Sequence, residues 1–415
     1  MKKMRHALMG IAVAGYCIAA VPWSSAATAD GPKRPVLYEF IQQTVGDHPA
    51  LKASGAALAA ARARARGQAR PVYNPELEFG YENAEVNTKE IGVSQAFDWS
   101  GKRGARAGVG RAEFEAAEAA YDLAYKTLLT EILTALANYH TEYLKHSVAA
   151  EKEAVSVKFL ALAKRLSSAG EMPRAELLTA QLALAESRAA KNEAAAALSS
   201  ANERLVAIIG EDRDFWPKLD GVPSTLHIGT DDIDLIVENL PEIRLAIAET
   251  EISRARIKVA KTDRMPDPTI GLRVGEEGNS NLFGLSVSMP IPIRNSYKAE
   301  VQAAGSDLLG AQQAYYSVNR QVRARFNASL KRYRSASEAW RVWEENGAEP
   351  LDEQRALLGQ LLEAREISAI NYLVQLNQTF TTETASIELN GRLWSAWFEW
   401  QNAGANVGTW LETLQ

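Results

Sequence analysis

Helix breakers are missing from this chain over distances that few folds can accommodate. From Arg111 to Ala169 there is neither glycine nor proline. As one helix that run would extend about 90 Å at ~1.5 Å per residue. Arg174–Ile209, Ala311–Asn346 and Gln360–Asn390 are equally free of breakers. All are rich in Ala, Glu, Leu, Arg, Lys and Gln, the stronger helix formers. Such runs exceed ordinary globular helices. Within the first, Tyr121, Tyr125, Leu128, Ile132, Ala135 and Tyr139 recur in alternating steps of four and three, the seam of a coiled coil.

Four short stretches break this pattern by alternating with period two, a strand signal. In "PELEFGYE", Leu77, Phe79 and Tyr81 alternate with Glu76, Glu78 and Gly80. In "EIGVSQAF", Ile91, Val93 and Phe97 oppose Gly92, Ser94 and Ala96. Ile270, Leu272 and Val274 alternate with Gly271 and Arg273, and Phe283, Leu285 and Val287 with Gly284 and Ser286. One face is apolar and the other small or charged, as in a barrel with lipid outside and water inside. A soluble sheet resting on helices would show the same alternation.

The chain also repeats itself. "HPALKASGAALAAARARARGQARPVYNPELEFGYE" is echoed by "LPEIRLAIAETEISRARIKVAKTDRMPDPTIGLRVGE". Asn74-Pro75 matches Asp267-Pro268, Gly92 matches Gly284, Ser94 matches Ser286 and Lys102 matches Arg294. Each half reads helix, strand, strand, very long helix, tight turn, returning helix. The expected division is a signal over 1–26, a first repeat over 36–210, a linker over 211–235, a second repeat over 236–400 and a tail over 401–415.

The N-terminus carries Lys2, Lys3 and Arg5, then an apolar run over 7–21 and small residues at Ser24-Ser25-Ala26. That is a secretory signal, with cleavage after Ala26 or Ala29. Its Cys17 is the sole cysteine, and Tyr16 before it makes a poor lipidation site. The mature chain therefore has no disulfide and no thiolate metal site. Removing the three signal cations takes the net charge from −5 to −8, which disfavours nucleic acid. The arginines of "ARARARGQAR" spread around a helix instead of lining one face. Beyond the signal no apolar run is long enough for a membrane helix. A membrane-spanning form must therefore use strands closed into a barrel. Four strands cannot enclose a wet lumen, so several chains must donate four each.

These residues resemble the TolC family, the outer membrane factors of bacterial tripartite efflux pumps. The likeness rests on the duplicated plan, "HPALKASGAALAAARA", "NPELEFGYE", "GVSQAFDWSGKRGAR" and "MPIPIRNSYKAE". The third stretch is similar to the heavy-metal branch, the cobalt–zinc–cadmium and nickel resistance pumps. The resemblance implies a mainly α fold with a small β part, whose long helices form a periplasmic α-barrel. The resemblance also implies that three copies share a twelve-stranded transmembrane β-barrel in the outer membrane of a Gram-negative bacterium. It implies a periplasmic adaptor and an inner-membrane proton-driven pump as partners, no cofactor, and passive conduction of divalent metal cations. Organic drugs or secreted polypeptides are the alternative cargo, and a periplasmic coiled-coil adaptor without a pore is the alternative class.

The family's two helix-to-helix turns form the periplasmic tip. Here they are "RLSSAGEMPRAELLTAQ" and "LLEAREISAINYLVQ". Gly170 suits the left-handed end of a helix, and Pro173 the first turn of the next. Family aperture carboxylates map to Glu176, while the second turn carries Asn371 and Val374 at the equivalent places. Arg365 stands where the family usually has glycine. Gly170, Glu171, Arg174, Glu176, Arg365, Glu366 and Asn371 are thus the expected tip residues, with the glutamates forming cation-attracting rings. His140 and His146 are not spaced for one helix face, and His48 and His227 read as structural or exposed. Trp394, Trp397 and Trp400 fall on neighbouring parts of one helix, as expected for core packing, and Trp410 follows. No nucleophile elbow, phosphate loop or zinc signature occurs.

Overall fold

The fold is described here from a computed structural model, which covers residues 36–213, 215–219, 223, 233–364, 367–404 and 407–412. The expected signal, Cys17, His227, Arg365 and Glu366 lie outside the described residues.

Two short helices, α1 (Val36–Asp47) and α2 (Pro49–Gln68), lead into strands β1 (Glu76–Asn83) and β2 (Asn87–Ala96). Helices α3 (Lys102–Ser168) and α4 (Arg174–Ile209) follow. Beyond α5 (Ile233–Glu238), helix α6 (Pro241–Asp263) leads to β3 (Thr269–Glu277) and β4 (Ser280–Ser288). Helices α7 (Lys298–Asn346), α8 (Ala348–Ala364), α9 (Ala369–Gly404) and α10 (Val407–Glu412) complete the order. With 67 residues, α3 is about 100 Å long at ~1.5 Å per residue.

The helices run past the limits that breakers suggest. Helix α3 begins nine residues before Arg111 and contains Gly104, Gly108 and Gly110. At Gly110 a Cβ would lie 2.9 Å from the Ala65 Cα, so its bareness lets α2 pack close. Gly391 lies inside α9, where a Cβ would collide with Thr141 of α3. Each glycine costs about 1 kcal/mol of helix propensity, offset here by close packing. The second long helix of the plan is interrupted. Gly347 separates α7 from α8, so the second half has one element more than its sequence pattern implies.

The core sits where the helices cross. Leu128, Leu129, Ile132, Leu133 and Leu136 of α3 meet Phe40 and Ile41 of α1, Leu205 of α4, and Trp394, Trp397, Phe398 and Trp400 of α9. Tyr121, Tyr125 and Tyr139 of the heptad seam pack against this cluster. Tyr333 stacks on Trp400 with ring centroids 5.0 Å apart, and Trp410 meets Trp397 edge-on. The C-terminal tryptophans are thus core residues.

The strands form one antiparallel sheet in the order β1-β2-β3-β4. Asn83 pairs with Asn87 across the first hairpin and Glu277 with Ser280 across the second, so the two loops differ in length. The following helices also start differently. Gly101 and Tyr297, both left-handed, precede α3 and α7, which aligns Lys102 with Lys298, four residues beyond its sequence match Arg294.

Candidate functional site

Register puts the apolar strand residues on one face. Leu77, Val93, Leu272 and Leu285 form one row across the sheet, and Phe79, Ile91, Val274 and Phe283 the next. Ile270 pairs with Val287. These residues, with Tyr81 and Phe97, are between 41% and 75% exposed. Phe97 lies just past β2, where its amide still bonds to the Pro268 carbonyl. Lys89 and Gln95 are polar members of this face, and the Gln95 side-chain amide donates to the Ala96 carbonyl at 2.7 Å. So large an apolar surface on a folded chain marks a lipid or protein contact.

The opposite face is built from glycine and charge. Arg273 lies over Gly284, and Glu90 over Gly80. The two side chains approach to 3.7 Å. Ser94 donates to Glu78 at 2.9 Å. Bare neighbours let long charged side chains lie along the sheet instead of standing out from it.

Below the strands, a buried ion pair ties the two halves together. Lys102 Nζ lies 2.8 Å from Asp267 Oδ2, with both side chains nearly inaccessible. Tyr73 donates to the same oxygen at 2.7 Å and Ser100 to the other at 3.1 Å. Burial alone would raise the Asp267 pKa, but the bonds from Lys102, Tyr73 and Ser100 hold it below its usual value. Asp98 accepts from the Lys102 and Arg103 amides, each at 2.7 Å, and so satisfies the start of α3. Sequence reasoning missed this junction. Asp267 and Lys102 stood out only as repeat matches, and a bond between repeats leaves no local signal.

At the far end of α3 the chain turns as its glycine suggests. Gly170 has φ +77°. Its amide bonds to the Ser167 carbonyl, and the Glu171 amide to that of Leu166, which is a Schellman closure. Pro173 precedes α4 as its N-cap, one place before the first turn where sequence put it. Arg174 opens α4 and is exposed, and Glu176 is half-buried in its first turn. The second turn uses no glycine. Ser368 caps α9, its hydroxyl accepting from the Asn371 amide at 3.3 Å. Asn371 thus occupies in α9 the helix position that Glu176 holds in α4.

The structure brings the two turns together. Met172 and Leu177 of the first share a hydrophobic cluster with Ile367, Tyr372 and Leu373 of the second. Phe159 stacks on Tyr372 at 5.3 Å. Val374 is exposed. Among the described residues, no group of three or more His, Cys, Asp or Glu side chains could hold a metal ion. His48 Nε2 contacts the Ile208 carbonyl at 2.9 Å and His140 Nε2 that of Pro217 at 2.7 Å.

Residues 40–211 match the family described as Outer membrane efflux protein. The matched stretch runs from within α1 to just past the end of α4. Two of the curated relatives it resembles carry metal-resistance names. The Nickel-cobalt-cadmium resistance protein NccC of Alcaligenes xylosoxydans xylosoxydans is 29% identical over 68% of this chain and 66% of its own length. The Nickel and cobalt resistance protein CnrC of Cupriavidus metallidurans is 25% identical over 73% and 74%. The matched region thus spans about two thirds of NccC. The fold is that of the Campylobacter jejuni CmeC outer membrane channel, with a TM-score of 0.71 over 98% of this chain and 97% of that one, at 14% identity. Like that channel, the chain pairs long helices with a small antiparallel sheet.

Proposed function

We propose that this chain is the outer-membrane duct of a tripartite metal-efflux system, three copies closing one barrel and one helical tunnel. The observation that carries the reading is the sheet. Its apolar face is exposed, its other face is charged, and among the described residues its edges β1 and β4 have no further strand beside them. In lipid each unpaired amide costs several kcal/mol, so the edges need partners of the same kind. Helices of 67 and 49 residues then carry the duct away from the membrane to a periplasmic adaptor and an inner-membrane pump. The cargo we assign is divalent heavy-metal cations, on the resistance named in both curated relatives. Conduction is passive: the energy comes from the pump, and the duct needs no resident cofactor. The division into signal, two repeats, linker and tail belongs to the same reading.

Growth of a deletion strain across cobalt, nickel, zinc, cadmium, copper and silver salts, with a dye and a detergent as controls, tests the cargo. Sensitivity confined to some metals is the expected result. Sensitivity to dye and detergent alone would overturn it.

A further inference from the structure

The edges β1 and β4 come with their own template. Strands β2 and β3 belong to different repeats, yet they pair without interruption from Thr88–Glu277 to Ala96–Thr269. In a barrel shared by several copies, β4 of one copy meets β1 of the next in the same relation. The register of that seam rests on the shared-barrel reading and deepens it.

The hairpins transfer the register. Pro75 and Pro268 each close an Asx-Pro pair before the first strand of a hairpin, so Phe79 corresponds to Leu272. Phe79 faces Ile91, and Leu272 faces Leu285. Ile91 therefore corresponds to Leu285, and Val93 to Val287. This differs by two residues from the sequence match of Gly92 with Gly284, because β3 runs one residue further past its proline than β1 does before the chain turns. Within the chain Val93 faces Leu272 and Ile91 faces Val274. We propose that between copies Val287 faces Phe79 of the next, Leu285 faces its Tyr81, and Met289 faces its Leu77.

Three further observations agree. Every apolar side chain in these pairs meets another on the lipid face. The apolar alternation of β4 also continues beyond Ser288 through Met289, Ile291 and Ile293, which are 47%, 74% and 82% exposed. The seam covers the first of them directly. The third is barrel geometry. Stepping from Leu77 through Val93, Leu272 and Leu285 and over the seam arrives at Tyr81, four residues along. Three copies give a shear equal to the number of strands, which tilts strands by about 36°. Membrane barrels tilt by about 35–45°. Sliding the seam two residues either way gives about 20° or about 47° by the same proportion. The junction below the strands is not repeated at the seam, since Asn74 stands where Asp267 stands and offers no charge to a lysine.

Disulfide trapping tests the register in outer-membrane vesicles, since Cys17 is the sole cysteine and lies in the expected signal. Directly opposite residues have Cβ atoms about 4.5–5.5 Å apart and diagonal ones are farther, so zero-length oxidation discriminates. Phe79→Cys is combined in turn with Val287→Cys, Leu285→Cys and Met289→Cys, and the pair Tyr81→Cys with Leu285→Cys serves as a second reporter of the same seam. Copper-phenanthroline oxidation should give reducible inter-chain bands at least fivefold faster for 79/287 and 81/285 than for 79/285 and 79/289. Single-cysteine variants that still migrate as heat-sensitive oligomers exclude misfolding. Fastest linkage through 79/285 or 79/289, or oligomers that no pair links, overturns the register and leaves the shared barrel standing. Absence of any heat-sensitive oligomer in the unsubstituted protein overturns both.

Discussion

Lys126 of α3 places its ammonium 2.8 and 2.9 Å from the two carboxylate oxygens of Glu242, in the first turn of α6. Both side chains are nearly inaccessible, and Arg325 of α7 contacts the same carboxylate. One carboxylate thus fastens three long helices from both halves of the chain.

Removing one partner of this pair leaves a buried charge alone. Glu242→Ala should destabilise the protein by about 3–5 kcal/mol, whereas Lys126→Met with Glu242→Leu should recover most of the loss. Thermal unfolding in detergent measures both. The pair is also sensitive to acid. Burial alone would raise the Glu242 pKa, but the Lys126 charge and hydrogen bond hold it below its usual value. A carboxylate depressed in this way contributes fully above its unfolded value of about 4.3 and loses that contribution as pH falls through the folded value. Unfolding temperature should drop as pH falls below about 4.3, and the drop should be smaller in the double variant.

Gly170 has φ +77°, and a Cβ added there would meet nothing within 4 Å, so its backbone and not its space demands glycine. Gly170→Ala should cost about 1–2 kcal/mol, the left-handed penalty of an L-residue, and Gly170→Asn less. Amide exchange at Gly170 and Glu171, whose bonds close the helix, should speed up in the alanine variant. Unchanged exchange would mean that the closure does not depend on glycine.

The two faces of the sheet should respond oppositely to charge. Leu272→Arg places a cation on the apolar face, and in mid-bilayer that costs about 2–4 kcal/mol. Ser288→Arg, on the opposite face, should be tolerated. The readout is the fraction of heat-sensitive oligomer in the outer-membrane fraction. Equal assembly of both variants would mean that the exposed apolar face does not meet lipid.

Much of this architecture is legible in the sequence because it rests on local periodicity. Absence of breakers marks α3 and α4, with α4 spanning the run from Arg174 to Ile209. Period-two alternation marks each strand and its apolar face. Gly170 announces its own turn. What stays hidden depends on distant partners. Gly110 and Gly391 read as breakers until Ala65 and Thr141 are seen against them. Lys102 and Asp267 are unremarkable singly and meet only when β2 and β3 pair. Ser368 starts α9 with neither glycine nor proline beside it, so the second turn has no signature outside the family likeness.

The first turn of α4 carries one acidic position, Glu176, where the matching helix α9 carries the neutral Asn371. In the proposed trimer Glu176 would form a ring of three carboxylates, flanked by exposed Glu171 and Arg174. Charged rings set ion preference in narrow pores, but exposed charges are screened within about 8 Å at physiological salt and about 30 Å at 0.01 M. The effect should thus be largest in dilute electrolyte. Glu176→Gln should lower the cation preference of the reconstituted channel at about 0.01 M salt and change it little near 1 M. Asn371→Glu should raise it by completing a second ring. A carboxylate in a first helical turn also stabilises its own helix by about 0.3–1 kcal/mol, and that local role predicts no change in ion preference at any salt. Reversal potentials in planar bilayers separate the two roles, and an unchanged potential in Glu176→Gln at low salt would remove Glu176 from the gate.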